Sequence, residues 1–293
     1  LGDSTTPLIF LVFSSVVNVL LDLFTILVLD MGVAGAGWAT ITAQAVSGIL
    51  CLIYMRRKFT ILKMDEEEWK PDRHYMKILC NMGIPMGLQY SITAIGSVIL
   101  QTSVNSLGSM AVASVTAGSK ISMFFCCPFD ALGSTMATYG GQNVGARKLD
   151  RIDKGLKAGT LIGCIYAVAA FAVLLFMGQW VALMFVDPGE TEILKNTQLF
   201  LIANSLFFIP LLGVNVVRFM IQGLGYPRLA ILAGVCEMAA RSFVGFCLVP
   251  LFGYLAVCIA NPVAWIAADL FLIPAYRYVM KSLGRMFYGK ANA

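Results

Sequence analysis

The chain has 293 residues, 59% hydrophobic and only 13% charged, with a mean hydropathy of +0.81. Soluble domains are about half apolar and about one quarter charged, so a water-soluble fold has nowhere to put this surface. The net charge of +5 includes no contribution from the single histidine, His74, which argues against a His-based metal centre or catalytic dyad.

Apolar segments fall at about 8–29, 33–55, 78–105, 111–139, 158–184, 196–222, 227–251 and 254–279, each near the roughly 20 residues that cross a hydrocarbon core. They are predicted as helices. An open strand leaves unpaired amides in lipid, and a closed barrel needs alternating ten-residue segments that this sequence lacks. Pro85, Pro128, Pro210, Pro262 and Pro274 fall inside these segments, so kinked or broken helices are expected. The eight cysteines sit mostly in apolar runs without paired spacing and read as small packing residues.

In chain order, the first segment carries Asn18 and Asp22, four apart on one face, and a polar helix contact is expected there. A loop from Arg56 to Lys77 follows, rich in lysine and arginine, and its Asp65-Glu66-Glu67-Glu68 run reads as a solvated linker. The third segment bears Gln89, Thr93, Gln101 and Asn105. The fourth bears Lys120 in its outer third, where it snorkels and anchors or faces a cavity, and Asp130 near the other end. A basic loop after Tyr139 holds Arg147, Lys148, Arg151, Lys154 and Lys157. Asn215, Arg218 and Gln222 end the sixth segment, where snorkelling accounts for Arg218. Glu237 and Arg241, four apart on the seventh, are positioned to pair, and Asp269 on the eighth lies at a similar depth. The tail adds Arg277, Lys281, Arg285 and Lys290, whereas the loops near residues 30, 108, 190 and 252 contain only Lys195. The positive-inside rule then predicts both termini in the cytoplasm, and the basic charge needs no nucleic acid to explain it.

The two ends of the chain resemble each other. Pro7 and Pro227, at an offset of 220 residues, each follow a glycine-bearing turn, and polar i, i+4 pairs follow (Asn18 and Asp22; Glu237 and Arg241). Met31-Gly32-Val33-Ala34-Gly35 then parallels Phe252-Gly253-Tyr254-Leu255-Ala256 with one residue of slippage. Segments one and seven run in the same direction, as in a parallel repeat between two transporter halves. Chance similarity between apolar helices is the alternative.

Four strings carry a family resemblance: Gly2-Asp3-Ser4-Thr5-Thr6-Pro7; Asn18-Val19-Leu20-Leu21-Asp22; Met31-Gly32-Val33-Ala34-Gly35-Ala36-Gly37-Trp38-Ala39-Thr40 with Gln44; and Gly141-Gln142-Asn143-Val144-Gly145-Ala146-Arg147. In order and spacing, over essentially the whole chain, they resemble the multidrug and toxic compound extrusion (MATE) family. The resemblance implies an all-α polytopic membrane protein of twelve helices in two six-helix lobes around a central cavity, exporting organic, often cationic, compounds by H+ or Na+ antiport in the plasma membrane. This chain then corresponds to helices five through twelve: 1–58 the last two helices of the first lobe, 59–77 a cytoplasmic inter-lobe loop, and 78–293 the complete second lobe. The absent methionine and the apolar start at Leu1 fit a fragment of a longer protein. The family's acidic coupling residue in its first helix lies outside the chain, and the acids some members carry in helices seven and ten are here replaced by Gln89, Thr93 and Asn215.

The candidate cavity or coupling residues are therefore Glu237, Arg241, Asp269, Asp22, Asn18, Gln89, Asn215 and Lys120. For the Glu237, Arg241 and Asp269 group two readings stand: an ion pair that locks two helices, or a protonatable centre whose pairing changes between inward and outward states. The Gly141–Gly145 string lacks the phosphate-loop lysine pattern, so transport is expected to be secondary, with no cofactor, no enzymatic activity and a monomer in the bilayer. The alternatives are a lipid-linked oligosaccharide flippase of the related superfamily, against which few membrane-buried basic residues argue, and a non-transporting stub.

Overall fold

A computed structural model describes residues 5–59 and 70–289. The acidic run at Asp65–Glu68 and the opening Gly2-Asp3-Ser4 of the first string lie outside the described residues. The described chain is helical: α1 Thr5–Leu23, α2 Gly32–Lys58, α3 Arg73–Asn105, α4 Ser109–Gly145, α5 Leu149–Ala182, α6 Thr191–Leu206, α7 Phe208–Gly223, α8 Pro227–Phe243, α9 Val249–Phe252 and α10 Tyr254–Tyr288. Among the described residues, seven spans are long and apolar enough to cross a membrane, and the bent pair α6–α7 makes an eighth if it counts as one. The all-α architecture expected from the sequence is thus the one observed.

The sixth segment is the one that breaks. α6 and α7 meet at 52° around Phe207. Pro210 explains the position: without an N–H it cannot bond the Leu206 carbonyl, so the ladder fails there, and proline is tolerated in the first turn of the helix that follows.

Two compact units divide the chain, Leu1–Arg73 and His74–Ala293. In the first, α1 lies on a stripe of small buried residues on α2, Gly35, Ala39 and Ala43, spaced one turn apart so that the backbones approach closely. Polar side chains cross the seam. Asn18 Nδ2 donates to Thr40 Oγ1 at 3.3 Å, and Ser47 Oγ donates to the Phe10 carbonyl at 3.0 Å.

The second unit builds its core around α4, where Phe129 meets Tyr166 and Phe208 edge-on at 5.2 and 5.5 Å. Around this core the outer side chains, among them Leu161, Ile165, Phe176 and Trp180, are apolar and exposed, as a lipid-facing belt requires.

The long helices run past the apolar segments. α4 continues to Gly145 and α5 starts at Leu149, so the expected basic loop after Tyr139 is a three-residue turn flanked by helix. Polar residues outside the hydrocarbon still extend a helix, and apolar length alone cannot show where it ends. Tyrosines fasten α10 to this turn and to the start of α5. Tyr276 donates to Asp153 Oδ1 at 2.7 Å and Tyr288 to the Arg147 carbonyl at 3.0 Å, while the Arg147 guanidinium lies over the Phe287 ring. The Gly141-Gln142-Asn143-Val144-Gly145 string forms the last turn of α4.

The internal repeat carries into the backbone. A π-helical turn follows α1 at Phe24–Val28 and another follows α8 at Val244–Leu248, at the offset that relates Pro7 to Pro227. The helix behind each begins beside a glycine with φ +55° (Gly32) or φ +58° (Gly253), matching the one-residue slippage. Both units meet a wide turn and then a left-handed start at corresponding places, which chance likeness of apolar sequence does not produce.

Candidate functional site: a buried ionic cluster in the second unit

α7 presents Asn215, Arg218 and Gln222 on one face at helical spacing. Across from it, α8 presents Glu237 and Arg241. The expected i, i+4 pair is present, with Arg241 Nη2 3.3 Å from Glu237 Oε2. The second glutamate oxygen is taken by Arg218, whose Nη1 lies 2.8 Å from Oε1, while Arg218 Nη2 donates to Asn215 Oδ1 at 3.2 Å. Glu237 is 3% exposed and Arg241 6%. Arg218 therefore does not snorkel: its side chain turns inward and shares one carboxylate with Arg241. The sequence did hold a signal, since Arg218 sits between Asn215 and Gln222 on the polar face of α7.

Two further carboxylates complete the cluster. Asp269 reaches in from α10 and lies over Gly213, where a built Cβ would stand 2.6 Å from Oδ2, so only glycine leaves it this room. It sits within the electrostatic field of Glu237 and Arg218, yet Oδ1 is buried and has no hydrogen-bond partner among the described residues. Arg218 Nε and Arg241 Nε and Nη1 are likewise buried and unpartnered among the described residues. Asp130 on α4 is exposed on the surface of this unit and lies within reach of Arg218 and the Asn215 side chain. A polar track thus runs from Asp130 inward to Asp269. One turn further along α7, Gln222 donates to Gln89 on α3; both are buried, and the Thr93 hydroxyl beside them has no partner among the described residues.

Of the eight candidates, the structure gathers Glu237, Arg241, Asp269 and Asn215 into one cluster and seats Gln89 one turn along it. Lys120 is elsewhere, exposed beside a cavity of about 390 Å3 shared with Thr116, Phe185, Asp187 and Glu190. Asn18 and Asp22 belong to the first unit; Asn18 makes the helix contact described above, and Asp22 Oδ1 is buried without a partner among the described residues.

The MatE family model matches residues 85–247. A protein of Bacillus subtilis (strain 168) named "Probable multidrug resistance protein YpnP" is 30% identical over 221 residues, 74% of this chain and 48% of its own length. "Multidrug export protein MepA" of Staphylococcus haemolyticus (strain JCSC1435) is 25% identical over 88% of this chain and 56% of its own length. The chain thus spans about half the length of the curated relatives it matches. Among solved structures, one described as the outward-facing conformation of a multidrug resistance MATE family transporter of the MOP superfamily has a TM-score of 0.88 at 20% identity, covering 97% of this chain and 64% of that one. The Vibrio cholerae MATE transporter VcmN in its bent form has a TM-score of 0.83 at 19% identity, covering 98% and 65%.

Proposed function

This chain belongs to the MatE family, and from that premise we propose that it supplies the second six-helix lobe, with the last helix pair of the preceding lobe, of a secondary active exporter of organic compounds. In this reading 1–58 closes the first lobe, 59–77 links the lobes in the cytoplasm, 78–293 is the second lobe, and both ends of the chain face the cytoplasm by the positive-inside rule. The lobes rock about a midplane cavity, exchanging an incoming H+ or Na+ for outgoing cargo. Names such as "multidrug export protein" among the relatives support the assignment to transport rather than catalysis.

The observation that carries the coupling half of the proposal is the charge count of the ionic cluster, whose groups are buried or half-buried apart from the exposed Asp130. Two guanidiniums, Arg218 and Arg241, face three carboxylates, Asp130, Glu237 and Asp269, and one oxygen of Asp269 has no partner among the described residues. With every group ionised the cluster carries one surplus negative charge, and a single monovalent cation, H+ or Na+, neutralises it. Charges inside a membrane are costly when uncompensated, so loading and unloading that cation shifts the stability of whichever helix arrangement surrounds it. A wholly structural ion pair would leave no acid over. Exposed Asp130 gives the ion a way in.

Expression of the complete reading frame that carries this chain, in a host stripped of its own exporters, is expected to lower steady-state accumulation of a cationic dye such as ethidium. Collapse of the ion gradients should restore it. Accumulation equal to that of the empty host under both proton and sodium gradients would remove the exporter reading.

A further inference from the structure

We propose that the basic end of the second unit holds one anionic phospholipid, in a cavity of about 430 Å3 between the start of α3 and the turn that joins α7 to α8. Its volume falls in the range of about 300–1,000 Å3 typical of ligand pockets. α3 contributes Ile78, Asn81 and Met82, the turn contributes Tyr226, and the first turn of α8 contributes Arg228 and Leu229. At about 1.5 Å of rise per residue, Ile78 and Met82 stand about 7 to 14 Å along α3 from Arg73, at the depth where headgroups give way to acyl chains.

The lining is divided the way a phospholipid is divided. Ile78, Met82 and Leu229 offer an apolar wall, while Arg228 and Asn81, both exposed, offer a cation and an amide. Lys77, also exposed, lies one turn before Asn81 on the same face of α3, just outside the lining, and supplies a second cation on that face. α8 begins here with Pro227, so the positive end of its dipole points the same way as Arg228. The turn is held in shape: Tyr226 N–H bonds the Ile221 carbonyl at 3.1 Å, and its hydroxyl lies 3.0 Å from Ser282 Oγ. A free aqueous anion would use the cations and waste the apolar wall, and a cationic cargo would meet Arg228 and Lys77 as repulsion. An anionic phospholipid uses both halves, because basic residues at a membrane edge attract anionic headgroups.

The test is native mass spectrometry of the complete reading frame, purified in detergent and offered equimolar phosphatidylglycerol and phosphatidylcholine. The wild type is expected to retain phosphatidylglycerol over phosphatidylcholine. Each basic residue near an anionic surface is worth about fivefold, so Lys77→Ala with Arg228→Ala should weaken phosphatidylglycerol retention about thirtyfold. Met82→Trp, which fills the apolar wall and leaves both cations, should lower it as well. Arg277→Ala with Lys281→Ala, on the exposed end of α10, should leave it as in the wild type. Equal retention of both lipids by the wild type would overturn the proposal. So would undiminished phosphatidylglycerol in both cavity variants, or a loss confined to the α10 variant.

Discussion

Replacing Glu237 with leucine is expected to destabilise the folded protein by about 3–5 kcal/mol, the range for a buried charge whose partner is removed. The magnitude is at the high end because one carboxylate serves two cations. Arg218 Nη1 and Arg241 Nη2 both terminate on it, and their side chains are only 11% and 8% exposed. Leucine fills much of the same volume, so packing loss contributes little and the stranded guanidiniums dominate. The same physics makes a second expectation that separates this account from simple misfolding. Arg218→Met, Glu237→Leu and Arg241→Met together should recover part of the loss, because replacing a buried ion triad by apolar residues of similar size is often neutral or stabilising, while Asp269 and Asp130 lose only the field of Arg218. Thermal unfolding midpoints of the purified proteins in detergent check both statements. A triple variant no more stable than Glu237→Leu alone would mean that the cluster is held by something other than its charges.

Gly223→Leu is expected to cost more than about 3 kcal/mol, beyond the usual range for overpacking. Most crowded glycines here face the tip of a side chain that can turn aside: Gly133 faces the Phe219 ring, and Gly140 faces the Met220 sulfur. Gly223 instead lies directly against the backbone of Ala137, so a Cβ there collides with the carbonyl of α4 and neither helix can yield locally. Small residues at this seam are what let α4 and α7 approach. Since α7 carries Asn215, Arg218 and Gln222, displacing it also misplaces the ionic cluster. Gly284→Leu, where nothing lies within 4 Å, is the matched control and should be near neutral in the same unfolding measurement.

Much of this molecule was legible from its residues, and the limits of that reading have physical causes. Apolar runs of bilayer length gave the spans, because lipid leaves the backbone no alternative to internal hydrogen bonds. The i, i+4 spacing of Glu237 and Arg241 gave their pair, because helix periodicity is local information. Arg218 was misassigned for the opposite reason. Its direction depends on how α7 is turned by the break at Phe207 and on a glutamate 19 residues away on another helix, and spacing along one helix reports neither. The helix ends past Tyr139 and the 279 boundary were short for a related reason: hydropathy reports where lipid stops, and the tyrosine contacts that continue the helix are tertiary. Lys120 was read from its place along one helix, but its neighbours Asp187 and Glu190 come from the α5–α6 connection, which apolar pattern does not position.

The coupling role assigned to the cluster comes down to Asp269, the carboxylate with an oxygen left over. Asparagine at this position keeps the shape and fixes the charge in its neutralised state. The decisive measurement is uphill dye movement in vesicles containing the complete reading frame, with a proton or a sodium gradient imposed in turn, for the wild type and Asp269→Asn at equal protein content and equal thermal stability. Flux driven by one of the two gradients in the wild type, and reduced to the level of empty vesicles in the variant, is the predicted result; gradient-driven flux unchanged in Asp269→Asn would contradict it and leave the cluster a structural tie between α7, α8 and α10.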